Sequence, residues 1–346
     1  MKEDKKYCAS SFLMYRTIID HQKTFSQKIT PRFYEIPSDR QVVNNSQELE
    51  SKLESEIKKI TKNSKAALAL SGGIDSAILA KFMPPGSTAY TFQCIVPGKE
   101  VTNEVPQATK YAEKCGLSHK VIKIHWEDFE KYAPILMEHK GVPFHSIEIQ
   151  IYKAALEAKK DGFDTLIFGE SADCLYGGQS MLFGQDWTLG EFIDRYTYVK
   201  PYSVLKDYIL ELQPYIDATV DGYVSVQKFM GQTFFNESVN SFCNACDTAG
   251  IECAIPFANT IFNGELDKQL LHSGKNKYLV REIFNRLYPN FETPAKTPMP
   301  RPMNEWLENW QGPTRPEFWP HCTNNMTGDQ KWLVYILEKF LNFVDE

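Results

Sequence analysis

The sequence predicts an α/β protein in which a parallel sheet, with helices on both faces, is followed by a mainly helical C-terminal part. Short apolar runs alternate with helical segments from about residue 63 to 185, which is typical of successive β–α–β units. Strand signals fade after that, and the apolar spacing indicates helices through most of 186–346. The composition, with 42% hydrophobic and 24% charged residues, is ordinary for a globular protein and excludes wholesale disorder.

Four buried strands are predicted in the α/β part, each a short apolar run that ends near a turn. In chain order they cover residues 66–70, 88–94, 119–124 and 164–169. Helices are expected from the end of the first turn to about residue 82, and over 103–115, 127–140 and 147–161. Ligands of parallel sheets lie beyond the carboxyl ends of the strands, so the turns after the first and fourth strands are the places to look for a site.

The rest of the chain divides into two further regions. Residues 1–62 are expected to be an N-terminal leader or linker that ends in an amphipathic helix, and 63–346 to form one domain. The proline-rich segment 294–306 fits neither a helix nor a central strand and predicts an ordered loop. The C-terminal helices are predicted at 189–198, 202–213, 222–247, 260–271, 276–287 and 329–343.

The turn after the first strand has the composition of a phosphate-binding loop. Two consecutive glycines let backbone N–H groups face an anion, and the following helix adds its N-terminal donors and positive dipole end. Asp75 would repel phosphate unless a cation lay between them, so it predicts Mg²⁺. A plain glycine turn is the alternative, and the preceding strand and the second serine disfavour it. The expected phosphate contacts are Leu70, Ser71, Gly72, Gly73, Asp75 and Ser76.

The turn after the fourth strand carries a second set of polar residues. Gly169 begins it, and Glu170 and Asp173 follow three residues apart. Asp75 and Asp173 can together hold Mg²⁺, with phosphate oxygens and water completing its shell. Glu170 is then free to transfer a proton or to position an incoming amine. The alternative is a solvated acidic turn that a following glycine pair ends.

Both turns resemble known motifs. Residues 71–76, SGGIDS, resemble the PP-loop of the ATP pyrophosphatases, which include asparagine, GMP and NAD synthetases and tRNA-thiolating enzymes. Residues 169–178, GESADCLYGG, are similar to the asparagine-synthetase pattern G-E-x-[SA]-D-E-x-[FY]-G-G, although Cys174 replaces the usual glutamate. Residues 277–281 are similar to the family's K-x-L-x-R element. Residues 296–307 are similar to its K-x-x-x-x-x-P-x-x-x-W-L element.

The resemblance implies a fold of the adenine nucleotide alpha hydrolase type and an ATP-dependent ligase that forms amides. With ATP and Mg²⁺, such an enzyme would adenylate a small-molecule or peptide carboxylic acid and release pyrophosphate. It would then pass the acyl group to ammonia or an amine and release AMP. The resemblance makes Lys296 the cation that meets the pyrophosphate, where it would offset the charge of the leaving group.

The nitrogen source follows from what precedes the synthetase part. Family members that use glutamine carry a cysteine directly after Met1, whereas Lys2 stands here and residues 1–62 are too few for a glutaminase domain. We therefore expect free ammonia, ammonia from a separate glutaminase, or an amine. The net charge of −6 predicts no nucleic-acid partner. The charged N-terminus and the lack of a long apolar stretch predict a cytoplasmic protein without membrane contact.

Two other functions remain open at this point. Cys243, Cys246 and Cys253 have part of a metal-site spacing, and some PP-loop tRNA sulfurtransferases hold an iron–sulfur cluster through such cysteines. These sites usually need four ligands, which favours cysteines packed on a helix face instead. The other function is a catalytically silent nucleotide-binding subunit of a biosynthetic complex. The intact acidic residues of both turns argue against that possibility.

Overall fold

The computed structural model describes all residues, 1–346. The strands are β1 Lys2–Glu3, β2 Lys23–Thr24, β3 Gln41–Val43, β4 Ala66–Ala69, β5 Thr88–Cys94, β6 Ser118–Ile124, β7 Thr165–Ile167, β8 Thr219–Val220, β9 Tyr223–Val224, β10 Glu252–Ala254 and β11 Thr260–Phe262. The α-helices are α1 Lys5–Tyr15, α2 Ser46–Asn63, α3 Ile74–Phe82, α4 Val105–Cys115, α5 Trp126–Lys140, α6 Ile147–Lys160, α7 Ala172–Leu175, α8 Ser180–Phe183, α9 Leu189–Tyr196, α10 Pro201–Val204, α11 Gln213–Asp217, α12 Val226–Phe229, α13 Phe235–Ala249, α14 Lys268–His272, α15 Tyr278–Leu287, α16 Met303–Trp306 and α17 Gly328–Asp345. A π-helical turn, Met230–Phe234, joins α12 to α13, and Pro256–Asn259 form a 3₁₀ turn.

The central sheet has five parallel strands in the order β10-β7-β4-β5-β6. From β4 the chain adds β5 and β6 on one side, then returns to add β7 and β10 on the other. The order in which the chain adds strands therefore reverses between β4 and β7, although all five strands are parallel. In such sheets the ligand binds in the crevice outside the carboxyl ends of these two strands. Helices α2, α3, α4 and α15 form one packed group against the sheet, and α5, α6 and α13 form the other. The predicted α/β fold is confirmed.

The four predicted strands are present within a residue or two. The apolar residues of β4, β5 and β7 are mostly buried, whereas the edge strand β6 buries only Ile122 and Ile124. The fifth strand, β10, was not predicted. It has only three residues, none of them fully buried, and it pairs on one side only, with β7. A short edge strand of this kind has no apolar pattern that distinguishes it from a loop.

The helical part differs from the prediction at three places. Over 202–213 only the single turn α10 precedes an irregular segment, and over 260–271 the chain forms β11 and the short α14. Strand β11 pairs in parallel with β3, more than 200 residues earlier, and apolar spacing cannot reveal so distant a partner. The predicted helix over 222–247 begins later, after the β8–β9 hairpin, and passes through the π-helical turn. None of the helices is both long and apolar enough to cross a bilayer.

Residues 1–62 pack into the core instead of standing apart as a leader. Helix α1 contacts α10 and α17, and its Phe12 and Leu13 are completely buried. The residue that ends α1, Arg16, is also buried and donates to Glu237 of α13 at 2.7 Å. The amphipathic helix α2 packs on α3 and α15, the helices that flank the candidate site. The N-terminal segment therefore supports both halves of the protein.

Candidate active site

The loop after β4 is held in shape by its own serines. The Ser71 amide donates to Ser76 Oγ at 3.0 Å, the two hydroxyls lie 2.9 Å apart, and the Gly73 amide donates to Ser71 Oγ at 3.1 Å. Helix α3 begins directly after Gly73, and no side chain caps its first turn. The uncapped amides of that turn point toward the crevice end of the helix, where they can bind an anion.

One glycine allows the turn after β7 to approach this loop, and a second allows that turn to fold back on itself. A Cβ atom on Gly169 would lie 2.6 Å from the Ser76 amide nitrogen and 2.9 Å from the Asp75 carbonyl carbon. A Cβ atom on Gly178 would lie 2.6 Å from the Asp173 Cα. These neighbours are backbone atoms that cannot move aside, so only glycine fits at either position. The predicted turns are thus in direct contact across the crevice between β4 and β7.

Two aspartates and two lysines meet where the turns touch. We call Asp75, Asp173, Lys277 and Lys296 the charge cluster. Lys277 Nζ lies 2.6 Å from Asp75 Oδ2 and 2.9 Å from Asp173 Oδ1. Lys296 Nζ lies 2.8 Å from Asp173 Oδ2 and donates to the Gly178 carbonyl at 3.1 Å. The predicted residues Asp75, Asp173 and Lys296 are therefore brought together, and Lys277 bridges the two carboxylates.

The net pKa shifts of the two aspartates are opposite, although the lysines lower the pKa of both. Burial raises the pKa of Asp75, and the single ammonium of Lys277 only partly offsets it. Burial acts the same way on Asp173, but Lys277 and Lys296 together outweigh it and lower its pKa below the usual range. The pKa of Lys277 is raised, because both carboxylates outweigh the effect of its own burial. Asp173 therefore stays ionised well into the acidic range.

The cluster can accept Mg²⁺ in the manner that the sequence predicted. Asp75 Oδ1 is buried and has no hydrogen-bond partner, and Asp173 Oδ1 contacts Lys277 without the geometry of a hydrogen bond. No group of three or more histidine, cysteine or acidic side chains could hold a metal by itself. Mg²⁺ usually binds one or two carboxylates and completes its shell with phosphate oxygens and water. The two aspartates fit that pattern.

Glu170 lies beside the cluster and has a raised pKa of about 7. Burial is the main cause, and the negative charge of Asp173 adds to it, while hydrogen bonds from Ser171 and Ser238 oppose it. Both donors lie 2.8 Å from the same oxygen, Oε1. Hydrogen bonds to Oε1 thus orient the carboxyl, and a pKa of about 7 lets it exchange a proton near neutral pH.

Three further residues of the site were given no role by the sequence. Lys277 was known only from its similarity to a family element. Glu104 begins α4 and accepts a hydrogen bond from the Gly72 amide, and burial raises its pKa to about 7. Arg281, one turn along α15, donates to the Asn276 carbonyl at 2.8 Å. A charged residue at a helix start beside the crevice is the only signal that could have identified Glu104.

A cavity of about 450 Å³ connects these groups, and we call it the nucleotide cavity. Both predicted turns line it, together with the start of α4, Phe92, Phe242 and the segment 294–297 of the proline-rich loop. All the residues predicted to contact phosphate, metal or pyrophosphate therefore face one space. Its volume is within the range of roughly 300–1,000 Å³ that is typical of small-ligand sites.

Two sets of cysteines lie outside the nucleotide cavity. Cys174, which stands where the family usually has glutamate, is buried and donates to the Ser171 carbonyl. Cys243 of α13 and Cys253 of β10 are hydrogen-bonded to each other, and this bond together with burial raises the pKa of Cys243. All eight cysteines are free. No group of three or more histidine, cysteine or acidic side chains is placed to hold a metal ion, so the geometry does not support an iron–sulfur site here.

Comparison with known proteins gives one strong result. The family model described as asparagine synthase matches residues 48–314. No curated protein matches the chain. An NH3-dependent NAD synthetase from Campylobacter jejuni subsp. jejuni is 17% identical, with a TM-score of 0.27, over 39% of this chain and 61% of its own, so less than two thirds of its length is covered.

Two other solved structures have comparably low sequence identities and TM-scores. The U34-tRNA thiolase NcsA from Methanococcus maripaludis is 14% identical, with a TM-score of 0.35, over 86% of this chain and 79% of its own. The NMN synthetase from Francisella tularensis is also 14% identical, with a TM-score of 0.28, over 74% of this chain and 99% of its own. Scores this low support no choice among these functions. The family match, by contrast, covers most of the 346 residues, including both turns and the whole charge cluster. The chain belongs to the asparagine synthase family.

Proposed function

We propose that this protein is an ATP-dependent, AMP-forming carbon–nitrogen ligase that adenylates the carboxylate of a small-molecule or peptide acid. The observation that carries the proposal is the charge cluster, two aspartates and two lysines that meet beside the glycine loop at the β4–β7 crevice. Transfer at a phosphate places negative charge on the leaving group, and the lysines can neutralise that charge. The free carboxylate oxygens can bind the Mg²⁺ that accompanies ATP. A site that only stored a nucleotide would need neither.

In the first step, a carboxylate oxygen of the acid attacks the α-phosphorus of ATP. The bond from that phosphorus to the bridging oxygen breaks, and pyrophosphate leaves with the electron pair. Lys296, half-buried at the edge of the cluster, can turn from Asp173 to the departing pyrophosphate and neutralise it. Mg²⁺, held by Asp75 and Asp173, would add charge neutralisation at the phosphates. The first-turn amides of α3 orient the phosphate chain.

In the second step, ammonia or an amine attacks the acyl carbon and AMP leaves. The attacking nitrogen becomes positively charged and must lose a proton. Glu170, whose pKa of about 7 leaves a large ionised fraction at neutral pH, can accept that proton. The nitrogen would come as free ammonia, from a separate glutaminase or as an amine of a second substrate.

The proposal is tested by exchange of labelled pyrophosphate into ATP over a panel of carboxylic acids. We expect exchange that depends on one class of acid, and AMP as the nucleotide product when an amine is added. Asp75→Ala should abolish exchange, because it removes the carboxylate nearest the phosphate loop. Formation of ADP, exchange that no acid stimulates, or near-normal exchange by Asp75→Ala would each overturn the proposal.

A further inference from the structure

A second cavity of about 450 Å³ lies next to the nucleotide cavity. Helix α7 is the wall between them. Asp173 of this helix lines the nucleotide cavity, whereas Cys174 and Leu175 line the second one. The second cavity contains none of the residues assigned above to ATP, metal or pyrophosphate, so the proposed reaction leaves it unexplained.

The walls of the second cavity are mostly apolar. Of its 20 lining residues, 11 are hydrophobic, and they come from several separate elements. Phe183 belongs to α8, Tyr223 to the β8–β9 hairpin, Phe262 to β11 and Leu271 to α14. An apolar space of this size, bounded on several sides, favours a ligand with an apolar body, because burial of apolar surface is the main source of its binding energy.

The lining also carries three cations, Arg40, Lys228 and Lys268, and only Arg40 has no partner. Its Nη1 atom is buried and has no hydrogen-bond partner, and its guanidinium carbon lies 5.0 Å from the centre of the Phe235 ring. Lys228 donates to the Asp217 carbonyl and Lys268 pairs with Asp186. A buried donor without a partner costs free energy that an incoming acceptor recovers. The planar guanidinium suits a carboxylate in particular.

The π-helical turn keeps the cavity open. Gly231 and Gln232 of this turn line the cavity, and a Cβ atom on Gly231 would meet no atom within 4 Å. A π turn inserts one residue into an otherwise regular helix, and such insertions are frequent at functional sites. Here it places a residue without a side chain at the wall, where any larger residue would fill the space.

We propose that the second cavity binds a small carboxylic acid with an apolar body, and that the carboxylate of this ligand pairs with Arg40. The volume is that of a small-molecule site and leaves no room for a folded partner. The proposal stands on the cavity, the partnerless arginine and the open glycine alone. It holds whether or not the protein adenylates the acid that binds there.

Ligand-observed NMR titration of the full chain tests the proposal, with 3-phenylpropionate, 4-phenylbutyrate and hexanoate as probes. At least one of them should bind, and 3-phenylpropionamide, which has the same body without the charge, should bind at least about tenfold more weakly than its acid. Arg40→Gln should weaken binding of the carboxylate about tenfold and remove the preference over the amide. Arg32→Gln, in the same segment but exposed, should change neither value.

Gly231→Leu tests the cavity independently of Arg40. A leucine there would occupy the open space, so binding of every probe should be lost while the thermal unfolding curve stays close to that of the unaltered chain. Gly190→Leu is the matched control, because Gly190 also has nothing within 4 Å but lies on the exposed helix α9. Absence of binding by all three acids, equal binding by Arg40→Gln, or unchanged binding by Gly231→Leu would overturn the proposal.

Discussion

Lys277 adopts a left-handed backbone conformation, with φ of 48° and ψ of 42°, directly before α15. A residue with a side chain holds this conformation at a cost of roughly 1–2 kcal/mol. The cost is offset here, because it places the ammonium between Asp75 and Asp173, which would otherwise repel each other. Asp173 gains most from this arrangement, since it contacts both lysines.

We therefore predict that Asp173→Asn lowers acid-dependent pyrophosphate exchange at least about a hundredfold, because it removes the charge that orients both lysines. The melting temperature should fall as well, because the lowered pKa of Asp173 means that its charge stabilises the folded state, and exchange is therefore measured at a temperature where the variant is folded. Steady-state exchange at saturating ATP measures the effect. Asp194→Asn, which removes an exposed partner of Lys200, should leave exchange within twofold. Exchange by Asp173→Asn within tenfold of the unaltered protein would contradict the prediction.

The raised pKa of Glu170 predicts how the rate of the second step depends on pH. Its pKa of about 7 lies above the ordinary value, so the carboxyl is mostly protonated below pH 7 and mostly ionised above it. If it accepts the proton of the amine, the rate of AMP release from the acyl-adenylate should rise with pH through about 7.

Single-turnover AMP release between pH 5.5 and 8.5 measures this dependence. Glu170→Gln should be slower and should lose the rise near pH 7, while its rate of pyrophosphate release should change much less. A mutant with the same pH profile as the unaltered protein would show that Glu170 has another role.

The positions of single residues were predictable only where the local sequence determines them. The glycine loop and Asp75 follow directly after a strand, and Glu170 and Asp173 follow another, so their common position at one sheet edge was predicted. The position of Lys277 between the two aspartates was not, because it depends on a rare backbone conformation and on a contact across 202 residues of chain. No pattern of residue types in one segment encodes either feature.

At the scale of secondary structure elements, Gly169 determines how closely the turn after β7 approaches the loop after β4. Gly169→Ala should push the start of α3 away from the end of β7, because the new Cβ would clash with backbone atoms of Asp75 and Ser76. We expect a loss of about 1–3 kcal/mol in the free energy of unfolding, together with a large loss of exchange activity.

Urea denaturation and pyrophosphate exchange measure the two effects. The control is Gly190→Ala, which adds a methyl group in open space on α9 and should be neutral or slightly stabilising. Unchanged stability of Gly169→Ala would mean that α3 and β7 are free to move apart.

The elements themselves were predicted where burial is continuous. Strands β4 to β7 and helices α5, α6, α15 and α17 each bury a long apolar stretch or stripe, and their positions were found within a few residues. The errors fall where a short element depends on a distant partner, as in β10 on β7 and β11 on β3. At these places the strand is defined by hydrogen bonds to its partner strand, and its own sequence has no distinctive apolar pattern.

The N-terminal segment decides the stability of the whole molecule. It contributes Phe12 and Leu13 to the core, pairs Arg16 with the buried Glu237, and supplies β3 to β11. A chain that begins at Ser46 should therefore expose apolar surface and leave Glu237 without its arginine partner. A buried charge left in this way costs roughly 3–5 kcal/mol.

We predict that this shortened chain does not fold cooperatively. Circular dichroism melting and binding of a hydrophobic dye should show an expanded or aggregated state. The single substitution Phe12→Ala in the full chain is the milder companion and should cost about 3–5 kcal/mol. A shortened chain that melts within a few degrees of the full one would show that 46–346 is an independent unit.

The lysine between Asp75 and Asp173 also acts as a resident counter-ion. Because this cation is covalently attached, the two carboxylates are held together whether or not a metal ion is present. Folding and metal binding are therefore separate events, unlike those of proteins whose site assembles only around its metal. Removal of divalent ions with EDTA should leave the melting temperature unchanged, whereas Lys277→Met should lower it and make it sensitive to EDTA. We therefore expect Asp75, Asp173 and Lys277 to keep the same arrangement when no substrate is bound.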